Sequence, residues 1–126
     1  KNESLLKSLN GGITISGGEP LMQADFVCEL ADKLPNIHKA IQTSGYADED
    51  TYKRVIDKFD YIIGMEARNV RDIMTIIDED PEEKVCRLLD YSDNPRDIAD
   101  PWYTGNFDIT YNDVVEGCNA FLESIT

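Results

Sequence analysis

Apolar and polar residues along the chain follow two spacings in turn. Gly12 to Ser16 alternates, with Ile13 and Ile15 on one side and Thr14 and Ser16 on the other, the period of a strand that stops at Gly17-Gly18. Leu21, Phe26, Val27, Leu30, Ala31 and Leu34 recur at helical spacing, opened by Pro20 and closed by Pro35. Ile37 to Thr43 predicts a second strand, ended by Ser44-Gly45. Asp48 then caps a helix with Tyr52, Val55, Ile56 and Phe59 on one side. Tyr61 to Met65 is a third, almost wholly apolar strand. A helix from about Ala67 to Ile77 follows, with Val70, Ile73, Met74 and Ile77 inward, and Val85 to Leu89 is a fourth strand. Asp90 to Asn106 is polar and too long to be a mere connector, which makes it a functional candidate. The last helix runs from about Phe107 to Ser124, with Val114, Val115, Cys118, Phe121, Leu122 and Ile125 as its apolar positions. Lys1 to Leu9 fits a short lead-in helix with Leu5, Leu6 and Leu9 on one stripe.

Strands alternating with helices pair in parallel through right-handed crossovers. Four strands do not close the common eight-stranded barrel, so the expected fold is a single open α/β domain over residues 1–126. Ligands then bind beyond the carboxyl ends of the strands. Those ends are Ser16-Gly17-Gly18-Glu19, Thr43-Ser44-Gly45-Tyr46, Met65-Glu66 and the stretch from Asp90 onward.

Charge narrows the partners. The 126 residues hold 12 Lys+Arg against 25 Asp+Glu, a net charge of −13, which repels a nucleic-acid backbone or an anionic membrane. A monomer is favoured, with a homodimer as the alternative. No apolar run reaches the length of a membrane span and no signal-peptide pattern opens the chain. Cys28, Cys86 and Cys118 are an odd and widely spaced set, suited to a reducing cytoplasm and read as packed thiols at apolar positions. His38, the one histidine, reads as a surface residue, and the acids around Asp78 to Glu83 as a solvated loop rather than a metal site.

The segment Gly11-Gly12-Ile13-Thr14-Ile15-Ser16-Gly17-Gly18-Glu19-Pro20-Leu21 resembles the Gly-Gly-Glu-Pro segment of radical S-adenosylmethionine enzymes, with flanks similar to the pyruvate formate-lyase activating enzymes. Thr43-Ser44-Gly45-Tyr46-Ala47 resembles their next strand end, so the likeness covers residues 1–58. It implies that Ser16, Gly17, Gly18 and Glu19, with Thr43 and Ser44, form a ligand-binding edge for an ammonium group. That family's cluster needs a Cys-x3-Cys-x2-Cys run. The chain has none, so no cofactor is expected.

Residues 59–126 resemble a different family. Phe59-Asp60-Tyr61-Ile62-Ile63-Gly64-Met65-Glu66-Ala67-Arg68-Asn69 is similar to the third strand and helix start of low-molecular-weight protein tyrosine phosphatases. Asp100-Pro101-Trp102-Tyr103-Thr104-Gly105-Asn106-Phe107 and the helix after it are similar to their carboxyl-terminal end. The resemblance implies that Asp100 is the general acid and that Trp102 and Tyr103 line the cleft. Asp-Pro is also a common turn former. The family's nucleophile lies in a Cys-x5-Arg loop, whereas Leu34, Ser92 and Ser124 stand six residues beyond the three cysteines.

The expectation is therefore a hybrid chain joined near Asp57–Tyr61, a chimeric domain without a complete catalytic site and without enzymatic activity. The alternative is a residual phosphatase-like or S-adenosylmethionine-binding module at the carboxyl strand ends. For the sheet, the phosphatase resemblance implies order 2-1-3-4 with helices on both faces; the alternative is the half-barrel order 1-2-3-4 of the radical enzymes.

Overall fold

A computed structural model describes residues 12–16, 19–34, 36–43, 47–77, 79–80 and 82–125. The lead-in stretch Lys1 to Leu9, with Gly17, Gly18 and Ser44, lies outside the described residues. Four parallel strands, β1 (Gly12–Ile15), β2 (His38–Gln42), β3 (Tyr61–Gly64) and β4 (Val85–Arg87), form one open sheet. Between them run α1 (Ala24–Asp32, entered through a 3-10 turn at Pro20–Gln23), α2 (Glu49–Lys58) and α3 (Ala67–Ile77). After β4 come a 3-10 turn, Leu88–Tyr91, a one-turn helix α4 (Pro101–Thr104) and the long α5 (Phe107–Ile125).

Helices cover both faces. Val27, Cys28 and Ala31 of α1, Tyr52 and Val55 of α2 and Ile73 of α3 close one core against Ile41 and Ile62. On the other face Phe121 of α5 meets Ala40, Ile63, Leu88, Leu89 and Ile98. Its ring stands edge-on to Tyr61, 4.9 Å between centroids, and tilted against Tyr91 at the same distance. Asp48 caps α2 as its sequence position predicts, accepting from Thr51 N at 2.8 Å.

The strand order is 1-2-3-4, not the expected 2-1-3-4. Order 2-1-3-4 would bury the hydroxyl row of β1 at the centre of the sheet. The observed order leaves Thr14 and Ser16 exposed at an edge and centres β2, whose Ala40 and Ile41 are fully buried. Two local expectations also change. The fourth strand ends at Arg87, because Asp90 accepts from Arg87 N at 2.9 Å and turns Leu88 and Leu89 into the 3-10 turn. On α5, the apolar positions Val115, Cys118 and Leu122 are exposed. Cys118 is thus not a packed thiol, whereas Cys28 is buried and Cys86 half-buried.

α5 approaches the sheet closely at Gly117, where an added Cβ would sit 2.5 Å from Cγ of buried Leu88. Gly117→Ala is expected to cost about 1–3 kcal/mol of overpacking, less about 1 kcal/mol regained in helix propensity. Urea unfolding should therefore show a net loss of stability with an unchanged m-value.

Candidate functional site

The carboxyl ends of the strands carry two clusters. The first joins β1 to β2. Glu19 accepts from Leu21 N at 2.8 Å, capping the 3-10 turn, and takes the Thr43 hydroxyl on both oxygens at 2.8 and 2.9 Å. Thr43 N donates in turn to Ile63 O at 2.9 Å, which ties this cluster to β3. The buried Tyr52 hydroxyl faces Thr43; desolvation pushes its pKa well up, the Thr43 hydroxyl works against the shift and the charge of Glu19 adds to it. Of the expected ligand-binding residues, Glu19 and Thr43 are thus brought together, and Ser16, just after β1, is exposed. Gly17, Gly18 and Ser44 lie outside the described residues.

The second cluster positions Asp100. Gly64 ends β3 with no room for a Cβ, which would lie 2.8 Å from Cβ of Asn69. Asn69 Oδ1 receives Met65 N and Glu66 N at 3.2 and 3.0 Å and starts α3. The chain returning from β4 is laid on this end: Ile98 N donates to Met65 O at 2.9 Å, and Ile98 is buried. Asp97 Oδ1 receives Ala67 N at 2.7 Å and Arg87 Nη1 at 3.0 Å. Burial raises the Asp97 pKa, but those two bonds and the guanidinium charge outweigh it and the net shift is downward. Asp113 of α5 accepts from Ala99 N at 2.9 Å and from Arg96 Nη2 at 2.7 Å, and Arg96 Nη1 also holds Glu116 at 2.8 Å. The Thr110 hydroxyl donates to Ala99 O. Residues 96–99 are therefore held from β3, α3 and α5 at once.

Asp100 follows directly. It is the N-cap of α4, its Oδ1 accepting from Trp102 N at 2.9 Å, with Pro101 in the first helical turn. Gly105, at φ +68°, ends α4 in the left-handed conformation that favours glycine. Trp102 and Tyr103 stand on this turn 88% and 81% exposed, so neither ring is docked by burial over the strand ends.

The three thiols lie elsewhere. Cys28 is in the α1 core, and Cys86 is bonded to the Tyr91 hydroxyl at 3.2 Å, its pKa raised by burial. Cys118 shares an apolar cavity with Gly12 and His38 at the amino-terminal end of β1 and β2. Among the described residues no group of His, Cys, Asp and Glu is arranged to hold a metal ion. The residues that hold the loop bearing the carboxylates of Asp97 and Asp100 (the acid loop), namely Arg87, Arg96, Asp97 and Asp113, were not singled out by sequence. Only Asp113 left a signal: it is a carboxylate on the inward row of α5 shared with Gly117 and Phe121.

The sequence family model for low molecular weight phosphotyrosine protein phosphatase matches residues 35–126. The chain belongs to the low molecular weight phosphotyrosine protein phosphatase family. The matched stretch takes in β2 and α2 as well as the acid loop and α5. The low molecular weight protein-tyrosine-phosphatase YfkJ of Bacillus subtilis is 33% identical over 89 residues, 69% of this chain and 57% of YfkJ. PtpA of Staphylococcus haemolyticus is 37% identical over 55% of this chain and 45% of its own. The crystal structure of YfkJ superposes with a TM-score of 0.53 at 27% identity, covering 84% of this chain and 85% of that one. The 4-hydroxyphenylacetate decarboxylase activating enzyme of Clostridium scatologenes is 43% identical over 54 residues, 41% of this chain and 17% of that enzyme. The hybrid resemblance therefore holds, with the phosphatase part dominant.

Membership in the phosphatase family overturns the expectation of a chimeric domain without activity. The matched relatives are tyrosine phosphatases, and the family match includes the whole segment that carries Asp100. The chain spans about half the length of the phosphatase relatives it matches.

Two measurements check the clamp. Asp113→Ala leaves Ala99 N–H and Arg96 without their acceptor and is expected to cost about 1–3 kcal/mol by denaturant unfolding. Glu116, bonded by Arg96 and Ser92, has its pKa lowered from 4.5 to about 2. A depressed carboxylate stabilises the fold above its unfolded pKa and loses that contribution as pH falls toward the folded one. The acid limb of the stability profile between about pH 4.5 and 2 should therefore flatten in Glu116→Gln.

Proposed function

We propose that this chain serves the hydrolysis of aryl phosphate monoesters of the phosphotyrosine kind, with Asp100 as the general acid. The observation that carries the reading is the triple anchoring of residues 96–99, which presents Asp100 from the sheet's carboxyl side within a segment matching the family throughout. The bond between phosphorus and the aryl oxygen breaks, the phosphoryl group passes to the attacking nucleophile, and Asp100 gives its proton to the departing oxygen. Phenol then leaves in place of the costlier phenolate. Trp102 and Tyr103, exposed on the same turn, offer apolar walls to the substrate ring. Cys28 and Cys86 are withdrawn into the cores and Cys118 lies at the opposite end of the sheet, so attack falls to water or to a group outside this stretch. Three unpaired cysteines suit a reducing compartment, and the reading places the protein in the cytoplasm. Among the described residues no helix is long and apolar enough to cross a membrane.

Leaving-group dependence tests the acid. With phenyl phosphate, Asp100→Asn should lower turnover by about 10²- to 10⁴-fold. With p-nitrophenyl phosphate, whose phenolate departs unprotonated, the loss should be much smaller. Equal losses on both substrates, or turnover no faster than buffer, would overturn the reading.

A further inference from the structure

α5 carries more apolar surface than the sheet uses. Asp113, Gly117 and Phe121 turn inward, while Phe107, Tyr111, Val115, Cys118 and Leu122 form a second row beside them. At about 100° per residue these five share one sector of the helix. They are open to solvent: Phe107 is 76%, Tyr111 69% and Leu122 54% exposed. Asp108, Asn112, Asn119 and Glu123 border the row on its outer side. On its inner side Cys118 and Leu122 wall an apolar cavity of about 200 Å³ over Thr14 and His38, where α5 does not close on the first two strands.

We propose that this row is the contact of a two-fold dimer, with α5 packed antiparallel on α5 of a second copy. The row is self-complementary. Reversed about the bond between Val114 and Val115, it lays Phe107 on Leu122 and Tyr111 on Cys118, with Val115 beside its own copy. A two-fold contact requires a surface that matches its own reverse, which a surface for an unrelated partner has no reason to do. Spacings of three and four are those of helices packed at a shallow angle. The row is roughly 22 Å long. Phe107 and Tyr111 offer roughly 300 Å² per copy; with the other three side chains and the polar borders, two copies together approach the ~1,000 Å² of a specific interface. The dimer is therefore reversible. Charge opposes it, since each copy carries −13 and Asp108 comes toward Glu123 of the second copy. Salt screens that repulsion, so association strengthens as salt is added.

Sedimentation equilibrium of the full chain tests this. A monomer–dimer equilibrium that tightens with salt is expected, and Tyr111→Asp should raise its dissociation constant at least ~30-fold. Phe26→Asp, at a 62% exposed apolar position on α1, should leave it unchanged. Independently, the double variant Cys118→Ser, Val115→Cys should oxidise to a covalent dimer, and Cys118→Ser, Asn112→Cys should not. A monomer into the millimolar range, association that weakens with salt, equal effects of Tyr111→Asp and Phe26→Asp, or no cross-link through position 115 would each overturn the proposal.

Discussion

Parallel pairing in chain order constrains everything else in this molecule. When each strand pairs with the next and every crossover has the same hand, the connecting helices all fall on one face. α1, α2 and α3 do so, and their joint core holds Tyr52, Val55, Phe59 and Ile73 with almost no exposure. The opposite face is left to the chain beyond β4. One helix, α5, has to cover it, and at Phe121, Gly117 and Val114 it reaches Ala40, Ile63 and Leu88. A single helix is narrower than four strands. Among the described residues no helix closes over the inner side of β1, Thr14 is exposed, and a cavity opens beneath Cys118 and Leu122.

The same constraint places the acid loop. Because β4 is an edge strand of only three residues, the chain leaving it is free to run back along the carboxyl ends. Between Ser92 and Asp100, Ile98 is the one buried apolar side chain. The rest of the grip is charge and hydrogen bonding: Asp97 to Ala67 N and Arg87, Asp113 to Ala99 N and Arg96. Such contacts fix direction better than burial does, because each needs its donor and acceptor aligned. Together they hold residues 96–99 in one orientation.

The phosphatase match takes in β2 as well as β3. It starts at residue 35, before β2, while the activating-enzyme match spans 54 residues. β2 pairs on one side with β1 and on the other with β3. Its Thr43 takes part in both: the hydroxyl binds Glu19 and the backbone N–H binds Ile63 O. A strand with small and branched residues on both faces, Ala40 and Ile41, accepts either neighbour without a change of register.

Local chemistry was enough to set the elements of this chain. The Asp48 cap, the alternation of β1, the inward row Tyr52, Val55 and Phe59 and the Asp-Pro start at Asp100 all act within a turn or two, and each appears where its spacing predicts it. Strand order, by contrast, depended on which strand could tolerate the sheet's centre, a comparison between β1 and β2 that no local window contains. The fate of the α5 row was decided the same way. Val115, Cys118 and Leu122 have core spacing, but they stay outside because α5 turns the row of Asp113, Gly117 and Phe121 to the sheet instead. Arg96, Asp97 and Asp113 are ordinary surface charges in sequence. Only the fold brings them to Ala67 N, Ala99 N and one another, because hydrogen bonds between distant segments exist only once the sheet has fixed the distance between them.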